Sequence, residues 1–394
     1  MTEYSYLVLS IVAVCGIAIV YHHFIFPLFL RRFAGEPTGA SEYMMPNDLP
    51  TMTIVVAAYN EGAFVADKIR NLASLIYPAD KLSVIVVCDG CTDNTVRQAA
   101  QAASEPEYRD LSLVLLDNKT NRGKVAVLNE TLRGVSSDIV CLTDVSAWMS
   151  VDALTRAAWH FQNPEIGVVA GTYHLFKPGS NGEDAYWRYQ RIIKQGEAAI
   201  GSPLGVHGAC YFMRSSAISP LPDDTINDDF VLPMLAVRNG HRAVYDTEII
   251  GLEMEPTDLN SDFLRRCRIA AGNTQQLMRL FGLMHLRYGG IALSFASGKA
   301  LRVIIPYLML LSFVSCAIFA PYSTLCLAAL IIQAIGYAGA VIRAVAIREN
   351  RFRLLDLLYY LVAGHTANFL GSIRYVCGLH NGHWSKISQI ANRR

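Results

Sequence analysis

The sequence is poor in charged residues, which occupy only 17% of its 394 positions, whereas hydrophobic residues occupy 52%. A soluble domain carries about 25% charged residues, so this composition excludes a disordered chain and argues against a purely soluble protein. Lys and Arg number 34 and Asp and Glu number 33, which leaves a net charge of +1. Because it has no basic excess, the chain lacks the electrostatic signature of a nucleic-acid-binding protein.

The nine cysteines lack the paired spacing of a disulfide framework or of a zinc site. Cys88 and Cys91 form the one Cys-x-x-Cys pattern, and no second pair exists to complete a metal site. We therefore interpret the cysteines as thiols of a reducing compartment rather than as metal ligands or redox groups.

The N-terminal region lacks both the basic flank and the cleavage site of a signal peptide. Residues 7–30 are nearly uncharged, and they exceed the roughly 20 residues that a helix needs to cross a bilayer. We therefore predict an uncleaved membrane anchor over residues 1–32. Arg31 and Arg32 end this run, and the positive-inside bias then places the following residues in the cytoplasm.

The C-terminal region contains further apolar segments. Residues 301–347 contain two apolar runs joined at Pro321, which predict two transmembrane helices, and residues 354–379 form a third, more polar stretch. This stretch crosses the membrane, re-enters it or lies at its surface; we favour crossing, although a basic tail follows at 380–394. Residues 281–300 are only moderately apolar and predict an interfacial helix.

Residues 48–280 have the composition of a globular domain, in which short β-branched runs alternate with helical periodicity. This alternation predicts an α/β fold with a mostly parallel sheet covered on both faces. In such sheets ligands bind beyond the carboxyl ends of the strands. Tyr59 and Glu61 follow the first predicted strand, Asp89 the second and Asp144 the fourth, so we expect them to converge on one crevice.

The predicted sheet lacks the usual phosphate-binding loops. A dinucleotide-binding domain has Gly-x-Gly-x-x-Gly after its first strand, where this chain has Tyr-Asn-Glu-Gly at 59–62, and the P-loop pattern is also absent. A phosphate-bearing ligand must therefore be held by a metal ion, by basic side chains, or by both.

Seven segments resemble, in their order and spacing, the successive motifs of family 2 glycosyltransferases. They are TIVVAAYN at 53–60 with Glu61, VVCDGCTDNT at 86–95, NRGKVAVLN at 121–129, TDVSA at 143–147, HGA at 207–209, NDDF at 227–230 and RRCRI at 265–269. The flanking apolar runs resemble those of the bacterial membrane-bound members that build exopolysaccharide. The resemblance implies a GT-A fold, a nucleotide-sugar donor, a divalent ion (Mg²⁺ or Mn²⁺) and inversion at the anomeric carbon.

Carried over residue by residue, the resemblance assigns four side chains to the donor. Tyr59, Glu61 and Asp89 would hold its base and ribose, because carboxylates accept hydrogen bonds from ring N–H groups and ribose hydroxyls. Lys124 would approach the donor from the following motif.

The resemblance also implies a metal ligand and a general base. Asp144 matches the first aspartate of the family's Asp-x-Asp metal motif, and Ser146 stands in place of the second. A single carboxylate, with diphosphate and water, can hold such an ion. Asp229 would accept the proton of the acceptor hydroxyl as it attacks, with Asp228 as the alternative.

RRCRI at 265–269 resembles the Gln-x-x-Arg-Trp motif of the processive synthases. Arg268 would meet the departing diphosphate, since a guanidinium matches phosphate oxygens geometrically, and Arg266 is a second candidate. Ile269 at the tryptophan position removes the expected stacking surface for an acceptor sugar, so we favour single or few-step transfer over processive synthesis.

The sequence thus predicts a multi-pass protein of the bacterial inner membrane with a cytoplasmic catalytic domain. It would transfer a sugar from a nucleotide-sugar, with a UDP-sugar as the first candidate, to a lipid-linked or polysaccharide acceptor. Polysaccharide-assembly proteins are candidate partners. Two alternatives remain open: a polyprenyl-phosphate sugar transferase, and a catalytically silent nucleotide-binding subunit of a synthase complex.

Overall fold

A computed structural model describes residues 3–35, 43–108, 111–179, 181–256, 259–346 and 353–379. The chain divides into two compact units. Among the described residues, the helical unit lies within Met1–Arg32, Pro178–Tyr189 and Asp258–His380, and the sheet unit lies within Phe33–Lys177 and Gln190–Thr257. The predicted basic tail at 380–394 lies outside the described residues.

The described residues contain thirteen α-helices. In chain order they are α1 Glu3–Val20, α2 Phe26–Phe33, α3 Val65–Ala73, α4 Thr95–Ala103, α5 Lys124–Gly134, α6 Ala153–His160, α7 Asn181–Ile200, α8 Asp228–Arg238, α9 Leu259–Arg279, α10 Gly290–Ser294, α11 Leu301–Phe319, α12 Thr324–Ala346 and α13 Arg353–Val376. A π-helical turn at Tyr21–Ile25 joins α1 to α2, and another at Phe295–Ala300 joins α10 to α11.

The sheet unit is built on one eight-stranded sheet. Its strands are β1 Met52–Ala58, β2 Leu82–Asp89, β3 Ser112–Asn118, β4 Ile139–Leu142, β5 Ala147–Met149, β6 Ile166–Leu175, β7 Tyr211–Arg214 and β8 Arg242–Glu253. They lie in the order β3-β2-β1-β4-β7-β6-β8-β5. Strand β1 pairs in parallel with β2 and β4, β2 with β3, and β6 with β8. Strand β7 runs antiparallel to β4 and β6, and β5 runs antiparallel to β8.

Burial explains why β1 lies inside the sheet: all seven of its residues are buried. Ile54 and Val56 belong to the same apolar core as Val65 and Ile69 of α3. Ala57, whose side chain lies on the opposite face of the strand, packs with Val127 of α5. Helices therefore cover both faces, and the predicted α/β class is confirmed. The antiparallel strands β5 and β7 make the sheet mixed.

The topology brings the carboxyl ends of β1, β2 and β4 to one edge, because these three neighbouring strands are parallel. The residues that follow them are Tyr59–Glu61, Gly90 and Thr143–Asp144. This is the edge where the sequence predicted a common crevice.

Three segments of the described chain are helical, long enough and apolar enough to cross a membrane. They are Tyr6–Phe33, Gly290–Tyr322 and Thr324–Val345. Of the interval 281–300, predicted as an interfacial helix, residues Phe281–Met284 and Leu286–Tyr288 form short 3₁₀ turns, and the remainder from Gly290 belongs to the second segment. Helix α13 forms the predicted third stretch but is not among the three segments.

Candidate active site

The loops after β1 and β2 are fastened to each other by hydrogen bonds. Asn60 adopts a left-handed backbone conformation (φ 55°), which asparagine tolerates better than most residues. Its side chain accepts a hydrogen bond from the Thr92 amide (2.8 Å) and donates one to the Thr92 hydroxyl (3.1 Å). The amide of Glu61 donates to the Thr95 hydroxyl (2.8 Å). Glu61, a predicted donor-binding residue, is thereby fixed at the sheet edge, directly after Tyr59.

Asp89 is fully buried, and its carboxylate organises the loop before α5. One oxygen accepts hydrogen bonds from the amides of Arg122 (2.8 Å) and Gly123 (2.9 Å), and the other accepts from the Asn118 side chain (3.2 Å). The role predicted for Asp89 at the donor remains a prediction. The structure gives it the additional task of shaping the loop that presents Lys124.

Lys124 is the centre of the site. It begins α5 directly after Gly123, whose φ of +91° favours glycine. Its ammonium group lies 3.0 Å from the Asp144 carboxylate and 3.2 Å from the Asp228 carboxylate. The end of β4, the start of α5 and the start of α8 therefore meet at one point, and the roles predicted for Lys124, Asp144 and Asp228 remain predictions.

The charges of the site shift the pKa values of Lys124 and Asp144. Burial alone would lower the pKa of Lys124, but Asp144, Asp228 and Asp229 together raise it above its usual value. Burial alone would raise the pKa of Asp144, but the Lys124 charge and hydrogen bond lower it. Lys124 is therefore a permanent cation and Asp144 a permanent anion at neutral pH.

The Asp144 carboxylate rests against the backbone of the 207–209 segment. The Asp144 amide donates to the Gly208 carbonyl (3.0 Å), and a Cβ built on Gly208 would lie 2.6 Å from an Asp144 carboxylate oxygen. Only glycine fits here without a shift of the carboxylate. This contact explains the glycine of the HGA segment.

Asp228 and Asp229 are the first residues of α8, where the helix dipole favours negative charge. Asp228 is only 8% exposed and pairs with Lys124, whereas Asp229 is half-buried. The carbonyl of Asp229 accepts a hydrogen bond from the Val206 amide (3.0 Å), which holds the 206–209 segment beside the helix start. Asp229 is thus the more accessible of the two carboxylates predicted to act as the base.

Lys68 of α3 is a residue of the site region that sequence reasoning missed. It is fully buried, and its ammonium group donates to the Thr143 hydroxyl (2.7 Å) and to the Ala147 carbonyl (2.5 Å). These two hydrogen bonds bracket the segment that carries Asp144 and Ser146. Lys68 is therefore a positioning residue for Asp144. In the sequence it is one lysine of an amphipathic helix, so no local signal distinguishes it.

The buried ammonium group of Lys68 predicts a pH-dependent stability. Burial lowers its pKa to about 8, whereas an unfolded lysine titrates near pH ~10.4. Between these values the unfolded chain binds a proton that the folded chain has released, so the free energy of unfolding is expected to rise with pH, by about 3 kcal/mol in all. Denaturant unfolding of the wild type and Lys68→Met from pH 7 to about pH 10.5 measures this rise.

The Lys68→Met variant should lack the rise, whereas Lys81→Met, which alters a lysine paired with Asp48 at the surface, should retain it. Equal pH slopes in the wild type and Lys68→Met would contradict the assignment.

Glu253 is a second residue that sequence reasoning missed. It ends β8 opposite Ala147 of β5, and its carboxyl group accepts a hydrogen bond from Ser146 and lies near Asp144. Burial raises the pKa of Glu253. Glu253 reaches this position through an antiparallel pairing between strands a hundred residues apart, which the strand–helix alternation did not predict.

Tyr211 of β7 also adjoins the site. Within the part of the chain that the structure describes, its buried hydroxyl has no hydrogen-bond partner, and burial together with Asp228, Asp229 and Asp144 raises its pKa well above the usual value. An orphaned hydroxyl beside three carboxylates is costly.

The side chains of the site fit a divalent ion that is held mainly by the phosphates of a bound molecule. Among the described residues no group of three or more His, Cys, Asp or Glu side chains forms a metal site. Asp144 accepts a hydrogen bond from Lys124 through one carboxylate oxygen, and its side chain is 37% exposed. Mg²⁺ is commonly bound by one or two carboxylates with substrate phosphates and water, so Asp144 suits an ion that a diphosphate brings with it.

The arginines of the RRCRI segment lie on α9 in the helical unit. The Arg266 guanidinium packs over the Tyr360 ring, 3.7 Å from its centroid, and Arg265 pairs with Glu183 at 3.6 Å. Arg268 is exposed on the helix. Their predicted contacts with the diphosphate remain predictions.

Comparison with protein families matches this chain at residues 53–219 to the family described as Glycosyl transferase family 2. The matched region contains the strand-end loops, Lys124 and Asp144. The motifs at 227–230 and 265–269 lie beyond it.

Two curated relatives are similar to parts of this chain. The chain is 28% identical over 199 residues to the beta-monoglucosyldiacylglycerol synthase of Trichormus variabilis, covering 48% of this chain and 41% of the relative. It is 24% identical over 243 residues to the poly-beta-1,6-N-acetyl-D-glucosamine synthase of Staphylococcus aureus, covering 60% and 57%. The chain thus spans about half the length of the curated relatives it matches.

The structure resembles mannosyltransferase PcManGT from Pyrobaculum calidifontis, solved in complex with GDP-Man and Mn²⁺. The TM-score is 0.71 at 21% identity, over 92% of this chain and 98% of that one. At this identity the likeness concerns the fold, and it confirms the predicted GT-A class.

Proposed function

Since residues 53–219 form a glycosyl transferase family 2 domain, we propose that the chain is an inverting glycosyltransferase that moves a sugar from a nucleotide-sugar donor to a membrane-presented acceptor. The observation that carries this proposal is the convergence of Lys124 with the Asp144 and Asp228 carboxylates. A cation, a candidate metal ligand and a candidate base meet there at the edge where α/β sheets bind ligands.

The charges of the site suit the departure of a nucleoside diphosphate. Asp144 would hold a divalent ion, Mg²⁺ or Mn²⁺, whose charge neutralises the diphosphate. Lys124 supplies a fixed positive charge beside it, which is worth most where negative charge develops in the transition state. Lys68 and Gly208 keep the Asp144 carboxylate in place, so little reorganisation is required when the donor binds.

Asp229 would accept the proton of the acceptor hydroxyl. The hydroxyl oxygen attacks the anomeric carbon while the bond to the diphosphate breaks, and the proton passes to the carboxylate. Its half-buried position supports this role, because it is the more exposed carboxylate of the pair. Tyr59, Glu61 and Asp89 are proposed for the base and ribose of the donor, and Arg268 and Arg266 for the diphosphate.

Polysaccharide or glycolipid synthesis is the setting we propose. The three apolar helical segments support a membrane location, and the two relatives are named as a glycolipid and a polysaccharide synthase. Arg31 and Arg32 support a cytoplasmic catalytic domain in a bacterial inner membrane. The acceptor would then be a lipid-linked sugar, a diacylglycerol glycolipid or a growing glycan, with polysaccharide-assembly proteins as candidate partners.

A donor screen tests the proposal. Purified full chain in detergent or nanodiscs is incubated with UDP-, GDP- and dTDP-sugars, and release of free nucleoside diphosphate is measured with Mg²⁺, with Mn²⁺ and with a chelator. We expect metal-dependent release from one donor class, with UDP-sugars as the first candidate. Release from no donor, in the presence of membrane-lipid extract as acceptor, would favour a nucleotide-binding subunit without catalysis.

A further inference from the structure

Cys88 and Cys91 flank the two residues at the turn after β2. Cys88 is fully buried in the apolar core, and Cys91 is half-buried and packs against the same core. Between them lie Asp89, which holds the loop before Lys124, and Gly90. This pair is the Cys-x-x-Cys pattern of the sequence, and the proposed catalysis does not use it.

The backbone turns Cys91 back toward Cys88. Gly90 has a φ of +66°, and the Cys91 thiol then donates a hydrogen bond to the Ala58 carbonyl (3.6 Å). Ala58 is the residue that pairs with Cys88 across β1 and β2. Both thiols therefore adjoin Ala58 and pack in the same core, and each influences the ionisation of the other.

The thiols differ in reactivity. The hydrogen bond from Cys88 lowers the pKa of Cys91 to about 7, while the same contact and burial raise the pKa of Cys88. A thiolate, not a thiol, attacks disulfides. Cys91 is the more exposed of the two, so it is the one that a reagent from solution reaches.

We infer that Cys88 and Cys91 form a reversible modification site, at which a low-molecular-weight disulfide such as oxidised glutathione converts the two thiols to one disulfide and closes the donor-binding edge. The Cys91 thiolate attacks the glutathione disulfide and releases one glutathione thiolate. The Cys88 sulfur, giving up its proton, then attacks the Cys91 sulfur of the mixed disulfide and releases the second glutathione. Two protein thiols are oxidised and one glutathione disulfide is reduced to two thiols.

The link from the disulfide to the donor site runs through Asp89 and Gly90. A bond between the flanking sulfurs constrains this turn, and Asp89 holds the Arg122 and Gly123 amides. Gly90 itself lies against the backbone of Asn121, where an added Cβ would clash. A shift of the turn therefore displaces the loop that presents Lys124.

The experiment uses purified full chain equilibrated in glutathione buffers of increasing oxidised fraction. Remaining thiols are blocked with N-ethylmaleimide, and the peptide that contains residues 88 and 91 is examined by mass spectrometry. We expect this peptide to lose two hydrogens and to escape blocking, and dithiothreitol to reverse the change. A peptide that stays doubly blocked in oxidised glutathione would overturn the proposal.

A second readout follows nucleotide release in the same samples, and it rests on the proposed function. Release is expected to fall by about tenfold or more on oxidation, since a misplacement of about 1 Å near a reacting centre can cost a hundredfold. Cys91→Ser should release nucleotide equally before and after oxidation. Cys377→Ser, which removes an exposed cysteine elsewhere, should lose nucleotide release on oxidation as the wild type does. A disulfide that forms while release is unchanged would overturn the link to the donor site.

The two readouts separate failure of this inference from failure of the proposed function. If the reduced wild type releases no nucleotide from any donor, the proposed function fails, and the peptide masses still decide whether the pair is oxidised.

Discussion

Asp144→Ala is expected to lower metal-dependent nucleotide release by about 10²–10³-fold, since a bound divalent ion contributes several kcal/mol of charge stabilisation. The variant removes the carboxylate that would hold the ion and leaves Lys124 paired with Asp228 alone at the site. Steady-state release of nucleoside diphosphate, measured with the best donor over a range of Mn²⁺ concentrations, gives the size of the loss.

The control for this variant is Asp117→Ala, because the Asp117 side chain is 37% exposed, as is that of Asp144, and it pairs with Lys119 at the end of β3. Its activity should stay within about twofold of the wild type, as for most surface substitutions. If Asp144→Ala retained full metal-dependent release, Asp144 would not be the metal ligand.

Asp229→Asn is expected to lower transfer to a hydroxyl acceptor by about 10²–10⁴-fold, the usual contribution of a general base. The amide keeps the shape of the side chain at the start of α8 but cannot accept the proton. The affinity for the nucleoside diphosphate should change little, so the loss should appear in kcat rather than in donor KM. Single-turnover transfer to a hydroxyl acceptor, with donor binding measured in parallel, separates the two effects.

The matched variant is Asp228→Asn, which alters the neighbouring carboxylate that pairs with Lys124. A larger loss of kcat in Asp228→Asn than in Asp229→Asn would transfer the role of base to Asp228. If Asp229→Asn retained transfer to a lipid phosphate, the alternative of a polyprenyl-phosphate sugar transferase would be favoured, since a phosphate acceptor needs no strong base.

The sequence was sufficient to predict the part of the site whose residues are placed by the order of the strands. Hydrophobic strand patterns end just before Tyr59, at Asp89 and just before Asp144, and parallel neighbours place those ends at one edge. The family motifs added Lys124 and Asp228, and the structure brings both to Asp144.

The remaining part of the site depends on contacts between distant segments, which leave no local pattern. Lys68 projects from a helix into the core beneath Asp144, and Glu253 arrives through the antiparallel pairing of β5 with β8. Asp89 was predicted from its place after a strand, but its burial and its bonds to Arg122 and Gly123 depend on how the loop before α5 returns to the sheet. Such positions follow from tertiary packing, not from residue periodicity.

The most direct test asks whether the Lys124–Asp144–Asp228 site holds a metal–nucleotide complex. It uses electron paramagnetic resonance to measure the binding of Mn²⁺ to the purified full chain. In the wild type, addition of the nucleoside diphosphate of the active donor should convert free Mn²⁺ to the bound form. Asp144→Ala should abolish this conversion and Asp117→Ala should preserve it. Equal diphosphate-dependent Mn²⁺ binding in the wild type and Asp144→Ala would contradict the account.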